Sequence, residues 1–337
     1  MKRLIISGSV ASVILLFSSL TFAPCLLAES FFQKEQKSES APVQTSLPVQ
    51  LSGYAQVQFA ESNTQVDSFS VRRARLILGF QPVKKLSFKL QADLVKSPVL
   101  ADALVELNLD DKFNLRVGQF KVPFSLESIT SAAELLTINR SQTVELLAPG
   151  RDNGASGRDI GAVVFGHLGF INYAAGLFNG AGINKKDDND HKDFACRMTL
   201  VTLKKIALGF SLYNGRQTVS GNPTNLVRNR YGLEAKLDFQ PFYLSSELIR
   251  ARDGQTEKQG CYLQAALDLI KGKYQLILKL DSLNLDLART DQKSRVYTFG
   301  ANWYLSPKSK VQANLEYHHS DSGPDYRTLL LQLQVGF

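Results

Sequence analysis

The chain has 337 residues, of which 44% are hydrophobic and 21% charged, and its formal net charge is +8. The basic excess is mild and spread along the chain, so it does not indicate a nucleic-acid partner, and none is expected. Three cysteines are too few for the disulfide framework of an exported protein of this size.

The first 28 residues are typical of a secretory signal peptide. Lys2 and Arg3 form a positive start, residues 10–20 are largely apolar, and the small residue Ala28 suits a cleavage site. A membrane anchor is the alternative, but the apolar core is shorter than the ~20 residues that span a bilayer. Removal of residues 1–28 leaves 37 basic and 31 acidic residues, a net charge of +6.

Residues 29–48 are rich in Gln, Ser, Lys and Pro, which predicts a flexible periplasmic leader. From residue 49 onward apolar and polar residues alternate, as in LSFKLQADL at 86–94, which indicates β-strands with two unlike faces. Most strands have the length that crosses a tilted bilayer path. Sixteen strands are predicted near 49–60, 68–80, 85–96, 101–109, 112–120, 157–166, 169–178, 192–202, 205–213, 227–239, 241–251, 259–270, 273–284, 294–305, 309–318 and 326–337.

The connections between these strands alternate between short turns and longer polar loops, among them 214–225 and 253–259. This sidedness and the even strand count predict an all-β fold, a transmembrane antiparallel β-barrel over residues 49–337. Residues 121–156 form a much longer connection, which we expect to fold into the lumen as a constriction loop. Its middle, SAAELLTI at 131–138, has helical character.

Strand parity also assigns basic residues to the lumen. In SVRRARLILGF at 70–80, Arg73 and Arg75 share the parity opposite to Leu76 and Leu78, and an outward charge at mid-bilayer would cost about 2–4 kcal/mol. Arg72 has the lipid parity and is expected to extend to the interface. The same logic turns inward Lys89, Arg116, Arg197, Arg228 and Arg230, and the long connection and the next strand add Arg140, Arg151 and Arg158.

Such a lumen favours anions, because arginine offers a planar fork that suits phosphate or carboxylate oxygens. Acidic residues with the same inward parity would cancel part of this field, so a non-selective diffusion pore stays open as an alternative. These residues are Asp93, Glu106, Glu234, Asp238 and Glu247.

Catalytic and metal-binding motifs are missing from the sequence. The four histidines follow no metal-ligand spacing, and neither GxSxG nor HExxH occurs. We therefore expect no enzyme activity, no metal and no cofactor. An outer-membrane barrel enzyme acting on lipids and a surface adhesin are the alternatives from other classes.

Several segments resemble the phosphate-selective porin family, the porin O/P group. They are GYAQVQF (53–59), FSVRRARLILGF (69–80), NLRVGQFKVPFSLE (114–127), GRDNGASGRDIG (150–161) and YAAGLFNGAG (173–182), with a terminal Phe after alternating apolar residues.

The resemblance implies a sixteen-stranded, water-filled channel in the lipid of a Gram-negative outer membrane, assembled as a homotrimer and passing small anions such as phosphate by diffusion. By matching segments, Arg73, Arg75, Arg116 and Lys121 would belong to the anion path. A departure is the run DDND (187–190) directly after Lys185 and Lys186, where the family's loop lysines would be sought.

Overall fold

The computed structural model describes residues 49–202, 205–219 and 222–337. Sixteen antiparallel strands close into one barrel, as predicted. The strands are β1 (Val49–Ser62), β2 (Ser68–Val83), β3 (Leu86–Asp93), β4 (Leu100–Asn108), β5 (Asn114–Lys121), β6 (Arg158–Leu168), β7 (Ile171–Phe178), β8 (Asp193–Thr202), β9 (Ile206–Val219), β10 (Asn222–Phe239), β11 (Phe242–Asp253), β12 (Thr256–Ile270), β13 (Tyr274–Asn284), β14 (Lys293–Ser306), β15 (Ser309–Ser320) and β16 (Gly323–Gly336). The predicted signal peptide (1–28) and leader (29–48) lie outside the described residues.

Alternating residues of each strand face opposite sides of the barrel wall. On β13, Leu276, Leu278 and Leu280 are exposed on the outside, whereas Lys279 and Asp281 are buried inside. An apolar exterior over a polar interior is the reverse of a water-soluble protein and suits a barrel surrounded by lipid.

The barrel closes where its last strand meets its first. Residues 328–336 of β16 pair with residues 54–62 of β1, and the Phe337 amide donates to the Gly53 carbonyl at 3.0 Å. Closure leaves no strand edge with unpaired backbone groups, which a structure within lipid requires.

The two ends of the barrel differ. Seven short connections lie at one end, here called the turn end, and the longer segments 63–67, 94–99, 122–157, 179–192 and 285–292 lie at the other, the loop end. The predicted long loops at 214–225 and 253–259 are wrong, since β9 and β10 extend through most of the first, and only 254–255 separate β11 from β12. Polar residues continue as strands there, and Gly254 takes the φ of +60° that a tight turn needs.

A β-bulge changes the facing of one arginine. Gln56 pairs with Arg73 and Val57 with Val71, so Arg72 is the extra residue of β2. Its guanidinium bonds Gln58, and it donates to Asn139 of the long loop at 2.7 Å. The expectation that Arg72 extends toward the lipid interface is therefore wrong, because simple parity does not hold across a bulge.

The long connection, residues 122–157, is here called the constriction loop. It contains α1 (Leu126–Ile129) and α2 (Gln142–Leu147), and the side chains of Ser125 and Ser141 cap their N-termini. None of the helices in the described ranges has the length and apolarity needed to cross a membrane.

Residues 131–138, whose sequence has helical character, form turns instead of a helix. The carbonyls of this described segment accept hydrogen bonds from glutamine, asparagine and lysine side chains of the barrel wall, a set here called the amide row. They do not accept from backbone amides four residues further on, as they would in a helix. The bonds run from Gln56 to Ala132, from Gln334 to Ala133, from Lys310 and Gln312 to Leu135, and from Asn302 and Gln312 to Leu136.

Candidate functional site: the lumen constriction

One face of the constriction loop is fixed to the barrel wall by apolar packing. Val144 and Leu147 of α2 are fully buried in a cluster that includes Ile249, Tyr262 and Leu283 of β11, β12 and β13. Each such side chain contributes about 1.5–3 kcal/mol on burial. The loop is therefore part of the folded core and not a segment free in the lumen.

The C-terminal part of the loop is held by ion pairs to β10. Asp152 accepts hydrogen bonds from both Arg228 and Arg230, and Arg230 also pairs with Asp253 at 2.7 Å and donates to the Leu147 carbonyl at 2.9 Å. Both arginines point inward but are buried beneath the loop. The expectation that they line the solute path is therefore corrected, and they act as anchors.

A second anchor holds α1, and sequence reasoning missed it. Glu247 of β11 accepts from the backbone amides of Leu126 and Glu127 at 2.9 and 2.7 Å. Glu127 in turn pairs with Lys279 at 2.9 Å. Burial alone would raise the pKa of Glu127, but Lys279 and Arg140 hold it below its ordinary value, so the carboxylate is charged at neutral pH.

Because the loop contacts β9–β16 and β1, the larger open space in the lumen lies next to the wall formed by β2–β8. A turn-side cavity of about 1000 Å³ runs from the loop to the turn end, and a loop-side cavity of about 320 Å³ lies on the opposite side. The predicted basic residues that line the turn-side cavity are Arg75, Lys89, Arg116, Lys121, Arg158 and Arg197. Arg140 lines the loop-side cavity together with Arg72.

Six basic residues, four of which line one of the two cavities, lie within electrostatic reach of other members of the group and are here called the constriction cluster. They are Arg73, Arg75, Lys121, Arg140, Arg151 and Arg158. Lys121 lies within electrostatic reach of Arg140, Arg151 and Arg158, and Arg140 within reach of Arg73. The strand wall and the loop thus contribute positive charge from both sides.

Only three carboxylates pair with this cluster, and they reach four of its six members. Arg75 bonds Asp93 at 2.9 Å. Arg158 bonds Asp102 at 2.5 Å. Arg151 bonds Glu145 at 3.0 Å, and Arg140 is 4.0 Å from the same carboxylate. Three carboxylates for six basic groups leave the cluster with a net positive charge.

Arg73 and Lys121 are the members for which the described part of the chain provides no ion pair. Lys121 donates only to the carbonyls of Ile129 and Thr130, at 2.8 and 2.7 Å. Arg73 donates to Gln56 at 2.7 Å, and its buried Nε has no hydrogen-bond partner. An unpaired buried donor is costly.

Arg140 of the constriction loop is charged at neutral pH. Burial, followed by the like charge of Arg151, lowers the pKa of Arg140 to about 9. The guanidinium therefore stays protonated, and it is held by the carbonyls of Glu127 and Thr130 at 3.0 and 2.8 Å.

The wall of the turn-side cavity is closer to neutral. Lys89 pairs with Asp102 at 2.9 Å and Arg116 with Glu106 at 2.6 Å. Arg197 bonds Glu234. Over residues 49–202, 205–219 and 222–337, no group of His, Cys, Asp and Glu side chains is arranged to hold a metal ion.

A closed sixteen-stranded barrel with an apolar exterior, a polar lumen and an inward loop defines a porin-type channel. A family model described as phosphate-selective porin O and P matches residues 44–200 and 184–328, so the chain belongs to this family. It is a channel of the outer membrane for small solutes, not an enzyme. No curated protein sequence matches the chain significantly.

Solved structures share the fold at low sequence identity. The outer membrane channel DcaP of Acinetobacter baumannii has a TM-score of 0.65 and 11% identity, with 86% of this chain and 97% of that chain covered. A loop-deletion mutant of OmpT, an outer membrane protein of Vibrio cholerae, has a TM-score of 0.64 and 10% identity, with 86% of this chain and 99% of that chain covered. A porin refined at 1.8 Å resolution has a TM-score of 0.55 and 14% identity, with 85% of this chain and 100% of that chain covered.

Proposed function

We propose that the channel prefers anions and that its selectivity arises at the constriction cluster. The observation that carries the proposal is the surplus of basic side chains there, with Arg73 and Lys121 unpaired in the described part of the chain. A solute passing between the two cavities meets this surplus, whereas the turn-side cavity offers mostly paired charges. Basic groups in a narrow, low-dielectric passage raise the local anion concentration.

Phosphate is the anion that best fits this chemistry. Guanidinium groups bind phosphate oxygens through paired N–H donors, and the cluster offers five guanidiniums and one ammonium. The description of the family as phosphate-selective supports the same choice. Binding must stay weak for transport, and the partial pairing with Asp93, Asp102 and Glu145 limits its strength.

Two further features belong to this proposal. Residues 1–28 would direct export as a signal peptide, and the barrel would assemble as a homotrimer. One similar barrel, OmpT of Vibrio cholerae, is described in a trimer form, with 8% identity and a TM-score of 0.63. Chemical cross-linking in the membrane tests the trimer.

Selectivity is tested by reconstitution in a planar bilayer under a KCl gradient. The reversal potential should have the sign of anion selectivity, and added phosphate in the millimolar range should reduce the chloride current. A reversal of the cation-selective sign overturns the anion preference. An anion-selective current without phosphate block leaves a general anion pore, and a reversal potential near zero gives a non-selective diffusion porin.

A further inference from the structure

The turn end carries a ring of exposed lysines that the pore does not use. They occur on five of the seven short turns and are Lys84, Lys85, Lys112, Lys205, Lys271, Lys273 and Lys308. Among the described residues none of them has an ion pair, and the same turns contain only two acidic residues, Asp110 and Asp111. The described turns therefore carry five net positive charges.

The loop end has the opposite balance. Apart from the constriction loop, its described connections contain five basic and seven acidic residues, a net charge of −2. Four of the five basic residues at the loop end are also lysines, but acidic residues outnumber the basic ones there, so the two ends differ in net charge. The asymmetry indicates a partner that meets only the turn end and carries negative charge.

Two of the lysines lie beside aromatic rings that locate the turn end relative to the bilayer. The Lys205 ammonium lies 5.7 Å from the ring centroid of Phe239, and the Lys273 ammonium lies 5.4 Å from that of Tyr274. Both rings are exposed on the lipid side, and Tyr274 stacks on Trp303 with centroids 6.4 Å apart. Such an aromatic girdle lies at the headgroup level of a bilayer.

We propose that the turn-end lysines bind anionic phospholipid headgroups of the leaflet that surrounds this end of the barrel. The ammonium groups lie beside the girdle, where the phosphates of that leaflet are found, and a lysine near an anionic surface favours binding by about five-fold. The result is a shell of anionic lipid around the turn end. This inference is independent of the proposed anion preference of the pore.

The single tryptophan of the chain, Trp303, provides the probe. The full-length protein is reconstituted in vesicles containing either brominated phosphatidylglycerol or brominated phosphatidylcholine at equal mole fraction, and quenching of Trp303 fluorescence is compared. We expect phosphatidylglycerol to be enriched about five-fold or more near Trp303. The double variant Lys271→Gln with Lys273→Gln should lower the ratio clearly, whereas Lys186→Gln, which removes an exposed lysine at the loop end, should leave it unchanged.

Equal quenching by both lipids in the unmodified protein overturns the proposal, as does a ratio that the double variant leaves unchanged. Barrel integrity in the variants is checked by circular dichroism. Inorganic phosphate and chloride at matched ionic strength should weaken the enrichment equally, by screening alone. A stronger effect of phosphate would assign these lysines to a free anion and reject the lipid.

Discussion

Removing the two unpaired charges of the constriction cluster should abolish most of the anion preference while leaving the barrel intact. The change is Lys121→Gln combined with Arg73→Gln. Glutamine keeps an N–H donor near the carbonyls of Ile129 and Thr130 that Lys121 now contacts. Neither substitution leaves a carboxylate without its partner, because neither residue pairs with one in the described part of the chain.

The expected size follows from Coulomb's law. A unit charge about 4 Å from a permeating ion contributes about 1 kcal/mol in water and more in a lower dielectric. A loss of about 1 kcal/mol lowers anion occupancy about five-fold and raises cation occupancy by the same factor. Screening reduces this, because the Debye length is about 10 Å at 0.1 M salt. Each single variant should therefore lower the anion-to-cation permeability ratio about ten-fold at low salt.

The assay is the reversal potential under a KCl gradient, measured for the unmodified channel, both single variants and the double variant. Lys205→Gln is the matched control, because it removes the same charge beside the lipid-facing ring of Phe239. The control should keep the original reversal potential. The double variant should move it toward zero, with single-channel conductance retained.

A double variant with unchanged selectivity would refute the assignment of the path to this cluster. A shift of equal size in the Lys205→Gln control would show that net charge, and not position, sets the selectivity. Either result would direct attention to the paired arginines of the turn-side cavity.

Three further predictions concern the loop, the wall and the exterior. Asp152→Asn weakens the anchor of both β10 arginines, and breaking such buried pairs costs about 3–5 kcal/mol, so the loop should loosen and single-channel current should become larger and noisier. Gly118→Ala should impair folding, measured by the yield of heat-modifiable barrel on gels, because a Cβ at φ +127° would lie 2.2 Å from the Ala103 carbonyl oxygen. Cys261, exposed on the outside of β12, should react in vesicles with a lipid-soluble maleimide and not with a charged one.

The controls for these experiments are equally specific. Quiet current of normal size from Asp152→Asn would mean that apolar packing alone holds the loop. Gly272→Ala, at a turn with open space around it, tests whether the left-handed φ by itself impairs folding. Rapid labelling of Cys261 by the charged reagent would contradict the assignment of that face to lipid.

The strands were predictable from sequence because each one faces lipid on one side and the polar lumen on the other. Apolar and polar residues therefore alternate along each strand. All sixteen strands appear where the alternation placed them, with end shifts of up to six residues, the largest at β9 and β10. Arg75 faces the lumen for the same reason. Parity failed at Arg72, because a bulge inserts a residue without any break in the local sequence pattern.

The site was less predictable because its features depend on partners distant in sequence. No local pattern shows that Arg230 meets Asp152, 78 residues away, or that Glu247 caps α1. The helical character of 131–138 was real in composition, but wall side chains bond its carbonyls. Inward charge could be inferred from sequence, whereas which charges remain unpaired required the fold.

The amide row has a consequence for how this channel changes over evolution. The side chains of the amide row, among them Gln56 and Gln312, donate hydrogen bonds to main-chain oxygens of residues 132–136. Every amino acid supplies such an oxygen. Residues 132–136 can therefore change in identity during evolution, while the wall side chains that bind their carbonyls keep the loop in place and preserve the width of the channel. We expect relatives whose loop sequences have diverged to keep the same channel width as long as they keep those glutamines.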